Sequence, residues 1–167
     1  FEPLSIAPRK IYVAPDAETH KAFTIGKTPK GKIWFSDNKG VGAAGYGLCL
    51  SADEMAKIGL LCLKNGIFNN KRIVSEKWLE ESFMVRLCCG EKFRDMKYGY
   101  LWWIIDENEG SYAAIGNSGN VIYINHRKDL VVAVSSYFKP TIFDRIDFIK
   151  EQIEEKFETE RKVKTVK

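Results

Sequence analysis

The stretch "YAAIGNSGNVIYINHRKDLVVAVSSYF", residues 112–138, holds three apolar extended runs separated by two clusters of turn formers. Runs this short, rich in Val, Ile and Tyr and bounded by Gly, Asn and Asp, read as strands. They predict strands over 111–116, 121–125 and 130–137. The run "LVVAV" is continuously apolar, which predicts a central strand covered on both faces. Just upstream, "YGYLWWII" (98–105) is aromatic and β-branched and predicts a fourth strand, turned by residues 106–110. The break Gly116-Asn117-Ser118-Gly119-Asn120 therefore lies inside a sheet. It is either a plain hairpin turn or a place where a substrate is held.

Helices flank that sheet. Ser51-Ala52-Asp53-Glu54 is a capping box, in which the serine oxygen takes an orphan N–H and the glutamate reaches back. Met55, Ile58, Leu61 and Cys62 then repeat at helical spacing, and Gly66 stands where a left-handed cap belongs. Ser75 predicts the start of a second helix running to about Phe83, after a polar turn over 67–74. Residues 84–97 read as irregular. After Pro140, the residues Ile142, Ile146, Ile149, Ile153 and Phe157 are spaced by 4, 3, 4 and 4, one apolar stripe on a helix over 141–157. Residues 1–45 carry all but one of the prolines. They read as loops with short extended pieces at "KIYVA" and "KIWFS". Helices first, then an antiparallel sheet, then a helix packed on it argue an α+β fold. Residues 1–158 are expected to form one domain portion and 159–167 a charged tail.

Composition narrows the function classes. With 167 residues, 45% of them apolar and 29% charged, the chain can bury a sizeable core. No run of about 18 apolar residues is present, so no membrane span is expected. The net charge is +4, but basic and acidic residues are mixed and no aromatic-interleaved basic face occurs, so no nucleic-acid partner is expected. The cysteines are Cys49, Cys62, Cys88 and Cys89, with no Cys-x-x-Cys spacing, and the histidines are His20 and His126. No metal site and no cofactor are therefore predicted. Cys62 reads as a buried thiol, and adjacent Cys88 and Cys89 are poor geometry for a disulfide. Reduced thiols lean toward a reducing compartment.

The stretch "GYGLCLSADEMAKIGLLCLKNGIFNNKRIVSEKWLEES" (45–82), followed by "YGYLWWI" and "IGNSGNVIYINHRKDLVVAV", resembles the serine β-lactamase, penicillin-binding protein and esterase family. The opening "FEPLSI" is similar to the segment that follows a mid-domain helix in that family, so the chain reads as a C-terminal portion. The resemblance implies a serine in Ser-x-x-Lys that attacks an amide or ester carbonyl. It also implies a Tyr-x-Asn element and a Lys/His-Thr/Ser-Gly strand that positions substrate and aims oxyanion donors. It allows an extracytoplasmic location as well.

Few of those parts stand in this chain. Ser-x-x-Lys occurs at Ser36–Lys39 and Ser136–Lys139. The first runs into Gly40 and the second ends a strand before Pro140, so neither pair is expected to share a helix face. Tyr123-Ile124-Asn125 imitates Tyr-x-Asn but follows the third motif instead of preceding it, and reads as a strand residue and a turn residue. The third motif survives in degenerate form. In one register Ile115 holds the Lys/His place, followed by Gly116. In the other, Asn117-Ser118-Gly119 stands for Lys-Thr-Gly with the Asn120 N–H facing an oxyanion. Either way the cation is absent from the motif. The candidate substrate-binding residues are thus Gly116, Asn117, Ser118, Gly119 and Asn120, with no catalytic residue assigned.

Three functions compete. One is the C-terminal portion of a serine hydrolase acting on a β-lactam, a peptidoglycan-like peptide or a small ester, its nucleophile upstream. Another is a catalytically silent relative binding a ligand or partner through the same groove. The third is an interaction fragment without a pocket. Expected partners are a small-molecule or peptide substrate, and a missing N-terminal half or a second copy of the chain to cover an open sheet edge.

Overall fold

The computed structural model describes residues 1–24, 31–116, 119–136 and 143–158. Its centre is a six-stranded sheet built from β5 (Leu87–Cys88), β6 (Lys97–Tyr98), β7 (Trp103–Asp106), β8 (Ser111–Ile115), β9 (Val121–Asn125) and β10 (Leu130–Val134). The spatial order is the chain order, and every neighbouring pair is antiparallel. Two smaller sheets accompany it. β1 (Lys10–Tyr12) pairs in parallel with β2 (Ile33–Phe35), and β3 (Ile67–Phe68) forms a hairpin with β4 (Lys71–Arg72). With the helices the architecture is α+β.

The capping box forms as the sequence dictates. The Ser51 hydroxyl accepts the Glu54 N–H, the Glu54 carboxylate accepts the Ser51 N–H, and helix α2 runs Ala52–Leu63. Past its end Asn65 and Gly66 both take left-handed conformations, close to where the glycine signal put the stop. Helix α3 (Glu76–Phe83) starts from Ser75, whose hydroxyl accepts the Trp78 N–H. One face of the sheet meets α2 and α3 through Cys62, Leu79, Phe83, Ile124 and Val131. The opposite face meets the C-terminal helix through Ala113, Val121, Tyr123, Ile146 and Ile149. Burying each large aliphatic in these layers contributes about 1.5–3 kcal/mol.

Several expectations need correction, among them the irregular reading of 84–97, which holds β5 and the start of β6. The run 98–105 is not one strand: β6 ends at Tyr98, Leu101 is left-handed with φ 64, and β7 starts at Trp103. The Gly99 N–H bonds the Trp102 carbonyl, and the Tyr100 N–H bonds the Ser82 carbonyl at the end of α3, which draws this segment out of the sheet. Strand β10 lies at one edge of the sheet, not its middle. Its apolar run has another cause: Val131 packs toward α2 and α3 while Val132 and Val134 pack toward the C-terminal helix. The strand also stops at Val134, short of the expected 137.

The C-terminal helix starts as α4 (Asp144–Phe148), turns into a π-helix over Ile149–Glu154 and returns to α over 155–158. Ile146 and Ile149 are buried and Ile153 packs against them, so the apolar stripe does face the sheet; Ile142 lies outside the described residues. Within this wider turn both Ile149 and Glu154 are buried. Finally, residues 1–45 are not only loops. Ala17–Thr24 form helix α1, and a 3-10 turn over Glu2–Leu4 buries Leu4 and Ile6 against Leu61.

Candidate functional site

Strands β8 and β9 are paired from Ser111↔Asn125 to Ile115↔Val121, so residues 116–120 are the loop of that hairpin. The Gly116 N–H bonds the Asn120 carbonyl at 2.9 Å, and the Gly119 N–H bonds the Gly116 carbonyl at 2.9 Å. Asn117 and Ser118 lie outside the described residues, and with them the Asn117-Ser118-Gly119 register. In the other register, the residue at the Lys/His place, Ile115, packs against the Ala113–Ile149 cluster. Gly119 is buried with φ +82, a conformation that suits glycine.

Three described side chains close round this loop. The Asn120 side-chain carbonyl accepts the Ser136 N–H at 2.8 Å, tying the loop to the segment just past β10. The Ser136 hydroxyl accepts from Arg145 Nη2 at 2.9 Å. The same guanidinium lies over Gly119: a Cβ built there would stand 3.1–3.2 Å from its Nη2, Cζ and Nε atoms. A cation from the C-terminal helix thus sits at the loop whose own motif has none. No spacing rule joins positions 119 and 145, so sequence reasoning missed Arg145. Only its place among the isoleucines of the helix stripe offered a hint.

The other sequence candidates have structural employment. Ser36 is 1% exposed, donates to the Asp37 carbonyl at 3.2 Å, and pairs with Gly42 in a β-bridge. Lys39 lies in the following turn, so the pair shares no helix face. Ser136 receives Arg145, and Lys139 lies outside the described residues. Tyr123 is buried and donates to the Glu154 carboxylate at 2.6 Å. Asn125 donates to Glu154 at 2.9 Å and to Glu109 at 2.8 Å, and accepts the Lys128 N–H. Lys128 Nζ completes the group at 2.9 Å from Glu154. Burial and the neighbouring carboxylate push the Tyr123 phenol up, in keeping with its role as a neutral donor to Glu154.

Two clefts open elsewhere, one of about 330 Å3 beside Asp16, His20, Ser36 and Asp37, and one of about 730 Å3 beside Phe1, Arg9 and Trp34. Neither is lined by residues 116–120. In the first, His20 Nε2 is bonded to the Tyr46 hydroxyl at 3.0 Å, and the Ser36 hydroxyl is bonded to backbone, so no activated serine is assembled. Among the described residues no cluster of His, Cys, Asp or Glu could hold a metal ion. Likewise no described helix is long and apolar enough to cross a membrane. The four cysteines are free, and burial pushes the Cys62 thiol up to about 12.

No family model matches the chain. A 6-aminohexanoate-dimer hydrolase of Paenarthrobacter ureafaciens is 27% identical over 112 residues, which cover 62% of this chain and 29% of that protein. A solved structure assigned as a 6-aminohexanoate-dimer hydrolase from Bacillus anthracis superposes with a TM-score of 0.54 at 26% identity. It covers 72% of this chain and 34% of that one. The chain therefore spans about a third of the length of these relatives. Proteins of that name belong to the β-lactamase/transpeptidase-like serine hydrolase superfamily, and their similarity supports that family for the residues present here.

Proposed function

We propose that this chain is the C-terminal portion, residues 1–158 with a charged tail, of a β-lactamase-like serine hydrolase that cleaves an amide. Its Ser-x-x-Lys nucleophile would lie outside residues 1–167. The observation that carries the reading is the β8–β9 hairpin loop, anchored at Asn120, in a chain similar in sequence to one 6-aminohexanoate-dimer hydrolase and in fold to another. Such a loop can present substrate and aim backbone donors, while the attack itself needs an activated serine. Neither Ser36 nor Ser136 has that environment.

The reading is tested by acylation. The 167-residue chain should not turn over nitrocefin or a p-nitrophenyl ester above background, and a labelled penicillin should leave it unmodified. A longer polypeptide carrying these residues should be acylated on a serine upstream of Phe1. Stoichiometric labelling of Ser36 or Ser136 would overturn this assignment. A second reading, a catalytically silent relative, is favoured by Ile115 at the Lys/His place. It gains if the longer polypeptide is not acylated at all.

A further inference from the structure

Strand β5 closes the six-stranded sheet on the side away from β10, and among the described residues no strand pairs beyond it. It carries the one exposed thiol: Cys88 is exposed, whereas Cys49 and Cys89 are half-buried and Cys62 is buried. We propose that Cys88 is a reversible disulfide site at which two copies of this chain join edge to edge, β5 against β5 in antiparallel pairing. This site is separate from the hairpin loop and does not depend on the hydrolase reading.

The backbone supplies the geometry. Cys88 stands opposite Lys97 in the β5–β6 ladder, and the Cys89 N–H bonds the Met96 carbonyl at 3.0 Å. Successive residues of a strand turn their N–H and C=O to opposite sides, so those of Cys88 face the open edge. A two-fold axis at Cys88 lets the N–H of each copy's Cys88 meet the Cys88 carbonyl of the other. Residues that exchange bonds in this way hold their Cα atoms about 5.5 Å apart, inside the roughly 4.4–6.8 Å that a disulfide spans. The same register sets Leu87 against Cys89 of the second copy and Arg86 against its Gly90, so no charge meets a like charge. Leu87, 58% exposed in a single copy, thereby gains cover. The strand is only two residues long, and short edges pair weakly. The bond between the sulfurs, not the ladder, therefore makes the association last.

The step needs an oxidant of the small-molecule disulfide class, such as oxidised glutathione. The Cys88 thiolate of one copy attacks it, releasing one reduced thiol and leaving a mixed disulfide. The Cys88 thiolate of the second copy then attacks the Cys88 sulfur of that mixed disulfide, forming the bond between the copies and releasing the second thiol. Two protein thiols are oxidised, one small disulfide is reduced, and the two thiol protons pass to the released thiolates. An exposed disulfide of this kind is readily reduced again, which makes the junction reversible.

The 167-residue chain is incubated with mixtures of oxidised and reduced glutathione and read by intact mass and non-reducing electrophoresis. A covalent dimer should accumulate as the mixture becomes more oxidising, revert with dithiothreitol and yield a Cys88–Cys88 linked peptide. Cys88→Ser should abolish the dimer, and Cys89→Ser should leave it. Hydrogen exchange tests the strand pairing: the Cys88 amide should exchange about tenfold more slowly in the dimer than in the reduced chain. A chain that stops at the mixed disulfide with glutathione overturns the proposal. So does a dimer that survives Cys88→Ser, or one in which the Cys88 amide exchanges as fast as before. If Cys88→Ser fails to fold, the linked peptide and the exchange rate of the natural chain still decide.

Discussion

Glu54 shows how much one residue can carry. Its carboxylate closes the α2 capping box on the Ser51 N–H and also receives the Arg9 guanidinium, whose side chain is 1% exposed. Arg9 in turn donates to the carbonyls of Cys49 and Ala7, fastening residues 7–9 to the start of α2. The Arg9 guanidinium, and after it the Ser51 N–H, hold the Glu54 carboxyl down at about 2 against an ordinary 4.5. A lowered pKa adds stability that is complete above the unfolded value and lost as pH falls through the folded one. Unfolding titrations should therefore show a loss between pH 4.5 and about 2 that Glu54→Gln removes. At neutral pH the same substitution should cost about 3 kcal/mol in chemical denaturation, because it strands a buried guanidinium. An unchanged acid slope would show that Glu54 does not govern it. The capping box was plain in the sequence, but its second partner was not, since no local pattern couples positions 9 and 54.

At the scale of elements, legibility tracked locality. Helices α2 and α3 and strand β9 were readable because caps, period and turn residues sit within a few positions of one another. The run 98–105 was misread because a bond from the Tyr100 N–H to the Ser82 carbonyl overrides its strand propensity. The π-turn of the last helix was invisible for a related reason. Ile142 to Phe157 satisfy an α stripe, while the buried bonds from Tyr123, Asn125 and Lys128 to Glu154 accompany the wider turn. At the candidate site the hairpin loop was legible and its cation was not. The packing of α2 on the sheet offers a sharp measurement. A Cβ at Gly59 would stand 2.6 Å from Val131 Cγ1 and 3.0 Å from Ile122 Cγ2. Gly59→Ala should therefore destabilise the chain by about 1–2 kcal/mol, overpacking outweighing the better helix propensity. A variant as stable as the natural chain would mean that α2 can slide away from β10 at little cost.

For the whole molecule, the open side of the sheet is the main liability. Strand β10 is an edge of the sheet, yet it has the apolar composition of a strand paired on both sides. The opposite edge, β5, exposes Leu87, with Met84, Leu101 and Trp78 also exposed. Edges of this kind recruit further strands unless charge, proline or a covering segment blocks them. The 167-residue chain is expected to associate at micromolar concentration. Analytical ultracentrifugation checks this, and a dilute monomer that binds no hydrophobic dye would contradict it.

The sheet's pairing scheme also bears on how the molecule is made. Among the described residues, each of its six strands pairs only with its immediate neighbours in the chain. Assembly by successive hairpins therefore closes only short loops, and the entropy of bringing distant segments together enters chiefly when α2 docks on β9 and β10. This gives the sheet a low contact order, so it can zip up during synthesis from β5 onward. The docking of α2, some sixty residues away from β9, is then the natural candidate for the late, rate-setting step.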